Sequence, residues 1–306
     1  MSNALKSLIN YLNTPFALFS EVKMMRQQMA KNEIEDLQTR VLRQDPKSLL
    51  PFGRKIYSQC DEDGIIREIF NRIGYTNKIF VEFGIGDGLE NNTLSLLFED
   101  WRGLWIEASK KHVEEIKRGF AKTISQGRLT VLNAFITESN IDNLISSILQ
   151  EKEIDLLSID IDGNDAHIFN SISCIKPRVV IIEYNAKFLP PIAYCMAYNQ
   201  NHIWRRNDYF GASLKFLETL FSGRGYSLVG CNITGSNAFF VRNNLLENKF
   251  PEPYTAEKHY MPARYYLSGA FSSGHPPSYQ TLENSLVTHS QDIIIQAREK
   301  DKKLGQ

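Results

Sequence analysis

The sequence has no apolar run approaching the ~20 residues that cross a bilayer, so no transmembrane segment is expected. It has no surplus of charge: 35 lysines and arginines face 35 aspartates and glutamates. A protein whose main task is gripping nucleic-acid phosphates needs a basic excess, so a nucleic-acid partner is not expected. Cysteine is scarce. Cys60, Cys174, Cys195 and Cys231 lie far apart with no CxxC pair, which argues against a disulfide frame or a zinc site and for reduced thiols. The opening stretch MSNALKSLIN lacks the basic start, apolar block and small-residue cleavage site of a signal peptide. A cytoplasmic location is the expectation.

What is present reads as an ordinary globular chain: 306 residues, 42% hydrophobic and 23% charged. Residues 1–50 read as a helical arm. Val22, Met25 and Met29, then Ile34, Leu37 and Val41, recur at spacings of three and four among polar residues. Such a stripe packs on the main domain or on a second copy of the chain. DPKSLLPFG at 45–53 reads as a linker. Beyond it, a helix follows Asp61, and short apolar runs at 78–84, 103–108, 128–134, 154–162 and 178–185 suit strands. Helical stretches near 91–99, 109–120, 140–152 and 165–174 separate them. That alternation is the mark of a parallel sheet covered by helices. The runs at 226–232 and 237–243 are too close for a crossover and predict an antiparallel hairpin at the sheet edge. The organisation expected is an arm at 1–50, one α/β domain at 54–245, and a wrap or lid at 246–306 ending in a helix at 286–304.

Four motifs carry chemistry. VEFGIGDGLENNT (81–93) places Glu82, Gly84, Gly86 and Gly88, with Asn92 behind, between a strand and a helix. The glycines permit a tight turn and close approach of a ligand. The acidic residues disfavour a pyrophosphate and suit a ligand with positive charge, such as S-adenosylmethionine (SAM). Glu107, with Ala108 after it, ends the next strand roughly 20 residues on, where a carboxylate takes ribose hydroxyls. Asn133 and Ala134 end the third strand and would face an adenine. Finally, SIDIDGNDAHIF (158–169) ends a buried strand in Asp160 and Asp162, and VVIIEYNA ends its neighbour in Glu183 and Asn185. These four form an oxygen-rich candidate site for Mg²⁺ or a similar cation. Unpaired carboxylates are costly inside a protein, so ligand contacts without metal explain them equally well. Asp160, Asp162 and His167 are the candidates for drawing a proton from an acceptor. His202 and Asp208 lie in a loop where a substrate could bind.

Together these residues resemble a class I SAM-dependent methyltransferase, and within that class the FkbM-like group associated with bacterial sugar and surface-polysaccharide genes. The likeness covers roughly residues 56–243 and rests on YSQCDEDGII, VEFGIGDGLENNT, GLWIEAS, LLSIDIDGNDAHIF, VVIIEYNA and the terminal hairpin. The resemblance implies a doubly wound, mostly parallel seven-stranded Rossmann-like sheet with a C-terminal antiparallel hairpin. It implies that Gly84, Gly86 and Gly88 hold the methionine part of SAM, that Glu107 holds the ribose, and that Gln59 and Asp63 lie near the methionine end. Where the commoner form of the group has DVEG, this chain has DIDGND. The expected activity is methyl transfer to a sugar hydroxyl of a small molecule or glycan. Two alternatives stand: a metal-dependent glycosyltransferase using Asp160-Ile161-Asp162 as a DxD motif, and a non-catalytic SAM-binding scaffold of a polysaccharide assembly. A nicotinamide-dependent oxidoreductase is disfavoured by the glycine spacing.

Overall fold

A computed structural model describes residues 3–271 and 274–285, with side chains from Leu18 onward. The helix expected at 286–304 lies outside the described residues. The chain opens with α1 (Asn3–Gln44) and α2 (Glu62–Ile73), then alternates strand and helix. In order follow β1 (Ile79–Phe83), β2 (Arg102–Glu107), α3 (Lys110–Gly119), α4 (Ala121–Ser125), β3 (Leu129–Asn133), α5 (Ile141–Ser146) and β4 (Glu153–Ile159). Then come α6 (Asp165–Ser171), β5 (Lys176–Glu183), α7 (Leu214–Gly223), β6 (Tyr226–Cys231), β7 (Asn237–Arg242), α8 (Ala256–His259) and α9 (Tyr279–Glu283).

The strands form one seven-stranded sheet in the order β3-β2-β1-β4-β5-β7-β6. β1 to β5 pair in parallel, while β7 runs antiparallel to both β5 and β6. This is the doubly wound sheet with an antiparallel hairpin that the sequence led us to expect. The inner strands β1, β4 and β5 bury both faces. Ile79, Val81 and Phe83 of β1 join one core with Ile141, Ile145, Ile168 and Phe221. Phe80 joins the other with Ile65, Ile69, Val113 and Ile116. The chain order reverses between β1 and β4, and open α/β sheets form a crevice beyond the carboxyl ends of their strands at such a point.

Three elements differ from the sequence reading. Residues Leu94–Glu99 form a 3₁₀ helix rather than an α-helix from 91. The Glu82 carboxylate takes the N–H groups of Asn92 and Thr93, and Asp100 turns left-handed at the other end. The helix near 140–152 stops at Ser146, where the Ser147 hydroxyl donates to the Leu144 carbonyl and competes with the helix. α7 was not anticipated, although Ser213 caps it by accepting the Phe216 N–H at 3.3 Å.

α1 is long, about 63 Å at 1.5 Å per residue, and only part of it touches the body. Ile34 is buried against Leu50, Ile233, Leu267 and Ala270, with Leu37 and Val41 alongside. Val22, Met25 and Met29 are 47%, 64% and 69% exposed. Residues 246–271 and 274–285 form short helices and turns, and Tyr279 of α9 packs edge-on against Phe120, its centroid 5.1 Å away. No helix among the described residues is long and apolar enough to cross a membrane. All four cysteines are free.

Candidate active site

The crevice is a cleft of about 460 Å³. Its floor comes from the residues just after four parallel strands: Gly84 and Gly86, Glu107 and Ala108, Ala134, and Asp160 with Asp162. Gly84 has φ +72°, and a Cβ there would lie 1.6 Å from the Asp160 carbonyl oxygen. Only glycine lets the ends of β1 and β4 approach so closely. Gly86 is also left-handed, with φ +55°, and nothing lies within 4 Å of where its Cβ would stand. That open space belongs to the cleft. Gly88 sits deeper, against Trp105 and Ile116.

Glu107 stands at the end of β2 and is oriented by backbone. One carboxylate oxygen accepts the Gly86 N–H at 3.0 Å and the other the Ser109 N–H at 2.7 Å. Each oxygen keeps a lone pair for a ligand. Asn133 lies beside it, but its amide donates to the Glu107 and Ala108 carbonyls, both at 2.9 Å. It fixes this turn rather than lining the cleft. Ala134 does line the cleft, with Ile106, Phe135 and Ile136 supplying an apolar wall.

Across the cleft, the carboxylates of Asp160, Asp162 and Glu183 converge, their nearest oxygens all within 4.8 Å of one another. Burial raises Asp160 well above the usual carboxylate range, and Asp165 and Asp162 add repulsion. Burial raises Glu183 likewise, with Asp160 next in weight. One buried Glu183 oxygen, Oε2, has no hydrogen-bond partner. Asp162 is left-handed at φ +56°, and burial raises it too, against the opposing pull of His202. Asn185 does not join this group. Its amide donates to the Asp208 and Phe210 carbonyls at 3.0 and 3.1 Å, and its oxygen accepts the Lys187 N–H.

Other sequence candidates lie behind the cleft. Glu82 is buried, and besides the Asn92 and Thr93 N–H groups it accepts the Thr93 hydroxyl at 2.5 Å. Burial lifts its carboxyl to about 7 despite these bonds. The Asn92 amide donates to Ser158. Asp63 gathers the N–H groups of Ile56, Tyr57 and Ser58 at 2.7–2.8 Å on one oxygen, and Gln59 is exposed. Asp61 and Glu62 beside them hold the β6–β7 turn through Ile233, Asn232 and Asn237. The SQCDED segment is therefore a clamp between α2 and the hairpin. His167 faces the 195–198 segment: its Nε2 is 2.8 Å from the Met196 carbonyl and its Nδ1 is 3.9 Å from Glu138. It does not line the cleft, whereas His202 does. Sequence spacing could not separate the two histidines, because the loop carrying His202 has no periodicity to fix its path.

No protein-family model matches the chain, and no curated protein matches it. Solved structures that overlap it include class I methyltransferases. One is magnesium protoporphyrin IX methyltransferase from Synechocystis PCC 6803 with bound SAM, 12% identical, covering 59% of this chain and 77% of that one at a TM-score of 0.38. Another is a SAM-dependent methyltransferase from Aquifex aeolicus, 9% identical, covering 57% and 87% at a TM-score of 0.36. These overlaps are loose, and the functional reading rests on the cleft itself.

Proposed function

We propose that this chain is a SAM-dependent methyltransferase, of the FkbM-like kind, acting in the cytoplasm on an oxygen nucleophile, a sugar hydroxyl of a small molecule or glycan. The observation that carries the reading is Glu107. Backbone N–H groups hold it at a strand end beside a bare glycine turn, in a cleft whose opposite wall is acidic. SAM supplies a methyl group on a sulfonium, and a cation suits this cleft. Glu107 would take the ribose hydroxyls, Gly84 and Gly86 leave room for the methionine part, and Ile106, Ala134 and Ile136 present an apolar wall to the adenine. Glu82, Gly88 and Asn92 support the cofactor turn from behind, and Gln59 and Asp63 would lie towards the methionine end. Asp160 and Asp162 stand where an acceptor hydroxyl would lose its proton.

Isothermal titration with SAM is the test. Hydrogen bonds to charged groups contribute about 1.5–3 kcal/mol each, so Glu107→Ala is expected to weaken SAM by at least about tenfold. Absence of binding at millimolar SAM overturns the reading. A second reading is favoured by the convergence of Asp160, Asp162 and Glu183: a divalent cation held there, in a methyltransferase or in a DxD-type glycosyltransferase. Magnesium-dependent binding of a nucleotide sugar in place of SAM supports the glycosyltransferase. SAM binding with no turnover on any carbohydrate supports a scaffold.

For α1 we propose pairing between two copies of the chain. Leu18, Val22, Met25 and Met29 are exposed and spaced four, three and four apart. Glu21 and Arg26 flank that seam, where interhelical ion pairs form in coiled coils. Sedimentation is expected to show a dimer that Met25→Glu dissociates. A monomeric wild type overturns this.

A further inference from the structure

Beside the cofactor cleft lies a second cavity of about 390 Å³, formed within residues 199–209. Asn199, Asn201, His202, Arg205, Asn207 and Tyr209 line it, with Ile203 at its edge. His202 lines both cavities. Its ring packs against Gly163, where an added Cβ would come within 2.3 Å of Cδ2, and its buried Nε2 has no hydrogen-bond partner. The turn bearing it is tied to the start of α6 by a reciprocal pair. The Asn164 amide donates to the Asn199 carbonyl at 2.8 Å, and the Asn199 N–H donates to Asn164 at 3.3 Å. At the far side Asn185 fixes the 208–210 backbone, and Lys187 pairs with Asp208. A loop so anchored presents a standing surface.

The one charge that lines this surface is positive. The Asn199 side-chain oxygen accepts the Asn201 N–H, and the Asn207 oxygen accepts the Tyr209 N–H. Each of those oxygens keeps one lone pair, and the amide N–H groups remain to donate. The Arg205 guanidinium adds donors and positive charge, in contrast to the acidic cleft next door. Tyr209, 50% exposed, offers a flat ring face, and Ile203, 75% exposed, an aliphatic surface.

We propose that this cavity is the acceptor site, that it takes a hydroxylated sugar bearing an anionic group, carboxylate or phosphate, and that His202 Nε2 hydrogen-bonds the hydroxyl presented to the cleft. The proposal rests on the methyltransferase reading for the fate of that hydroxyl but not for binding. Glucose, glucuronate and glucose 6-phosphate are titrated into the full-length protein with and without S-adenosylhomocysteine, by calorimetry and saturation-transfer NMR. Both anionic sugars are expected to bind more tightly than glucose, and the tighter of the two names the anion. Arg205→Gln is expected to weaken them at least tenfold while leaving the cofactor product's affinity and the melting midpoint unchanged, and His202→Phe is expected to weaken them several-fold. Equal binding of glucose and the anionic sugars, no binding of any at millimolar concentration, or indifference to Arg205→Gln overturns it. Failure of S-adenosylhomocysteine alone to bind counts against the cofactor reading only, because the sugar titration without it still reads Arg205.

Discussion

At the scale of single residues, the molecule holds two kinds of buried or half-buried carboxylate. Asp155, at the amino end of the sheet, pairs with Arg178 at 2.7 Å and accepts the N–H groups of Thr76, Asn77 and Lys78. Burial works to raise it, but these partners outweigh burial and hold it below the usual range. At the carboxyl end, Glu82, Asp160 and Glu183 lack a cation and all lie above the usual range. An acid whose folded pKa is raised favours folding while protonated, and that stability is lost as pH climbs through the folded value. For Glu82 the window runs from 4.5 to about 7. Ligand-free protein should therefore lose stability across that range in urea titrations. Glu183→Gln removes one charge from the converging trio and should stabilise the ligand-free protein at pH 8, read as a higher urea midpoint. Unchanged or lower stability would mean the trio is already compensated. Gly84→Ala should cost more than about 2 kcal/mol, since it forces a Cβ onto the Asp160 carbonyl at a left-handed position.

Glu107 and the glycines were legible at this scale because strand-end position fixes where such residues point. Glu82 was legible as a strand-end acid, but its direction was not. It precedes the crevice by two residues and turns back to hold Asn92 and Thr93.

At the scale of elements, the strands were readable because both faces are apolar and a period of two or a continuous run survives any packing. The helices were less so, because side chains contest their ends: Glu82 takes the N–H groups at 92 and 93, and Ser147 takes the Leu144 carbonyl. α1 shows both outcomes in one helix. Its stripe was plain, yet only Ile34, Leu37 and Val41 meet the body. Ile34→Ala should cost about 2 kcal/mol, the low end for a buried large-to-small change, because its cluster is small. Met29→Ala should cost almost nothing unless copies pair. Chemical denaturation of the two variants at low protein concentration checks the contrast.

At the scale of the whole molecule, the neutral net charge of the sequence hides an uneven distribution. Carboxylates gather at the carboxyl ends of β1, β2, β4 and β5, while the 199–209 loop next to them offers donors and Arg205. Composition cannot show such a division, because it appears only when the sheet brings residues 82, 107, 160 and 183 to one edge and Asn164 draws Asn199 to it. The same holds for the last described helix, which no motif connected to the glycine turn.

The Tyr279 hydroxyl donates to the Asp87 carbonyl at 2.8 Å, inside that turn, and Glu283 accepts the N–H groups of Lys122 and Thr123. Someone trimming this protein to a minimal fragment would cut after the hairpin, near residue 245, and keep every strand. The piece left behind would have lost a brace on its first turn, although all the residues judged important would still be present. Between Leu18 and Arg26, at the other end, no described side chain reaches the cleft. The two termini are unequal places to cut, and a fragment chosen by motif alone would be cut at the wrong one.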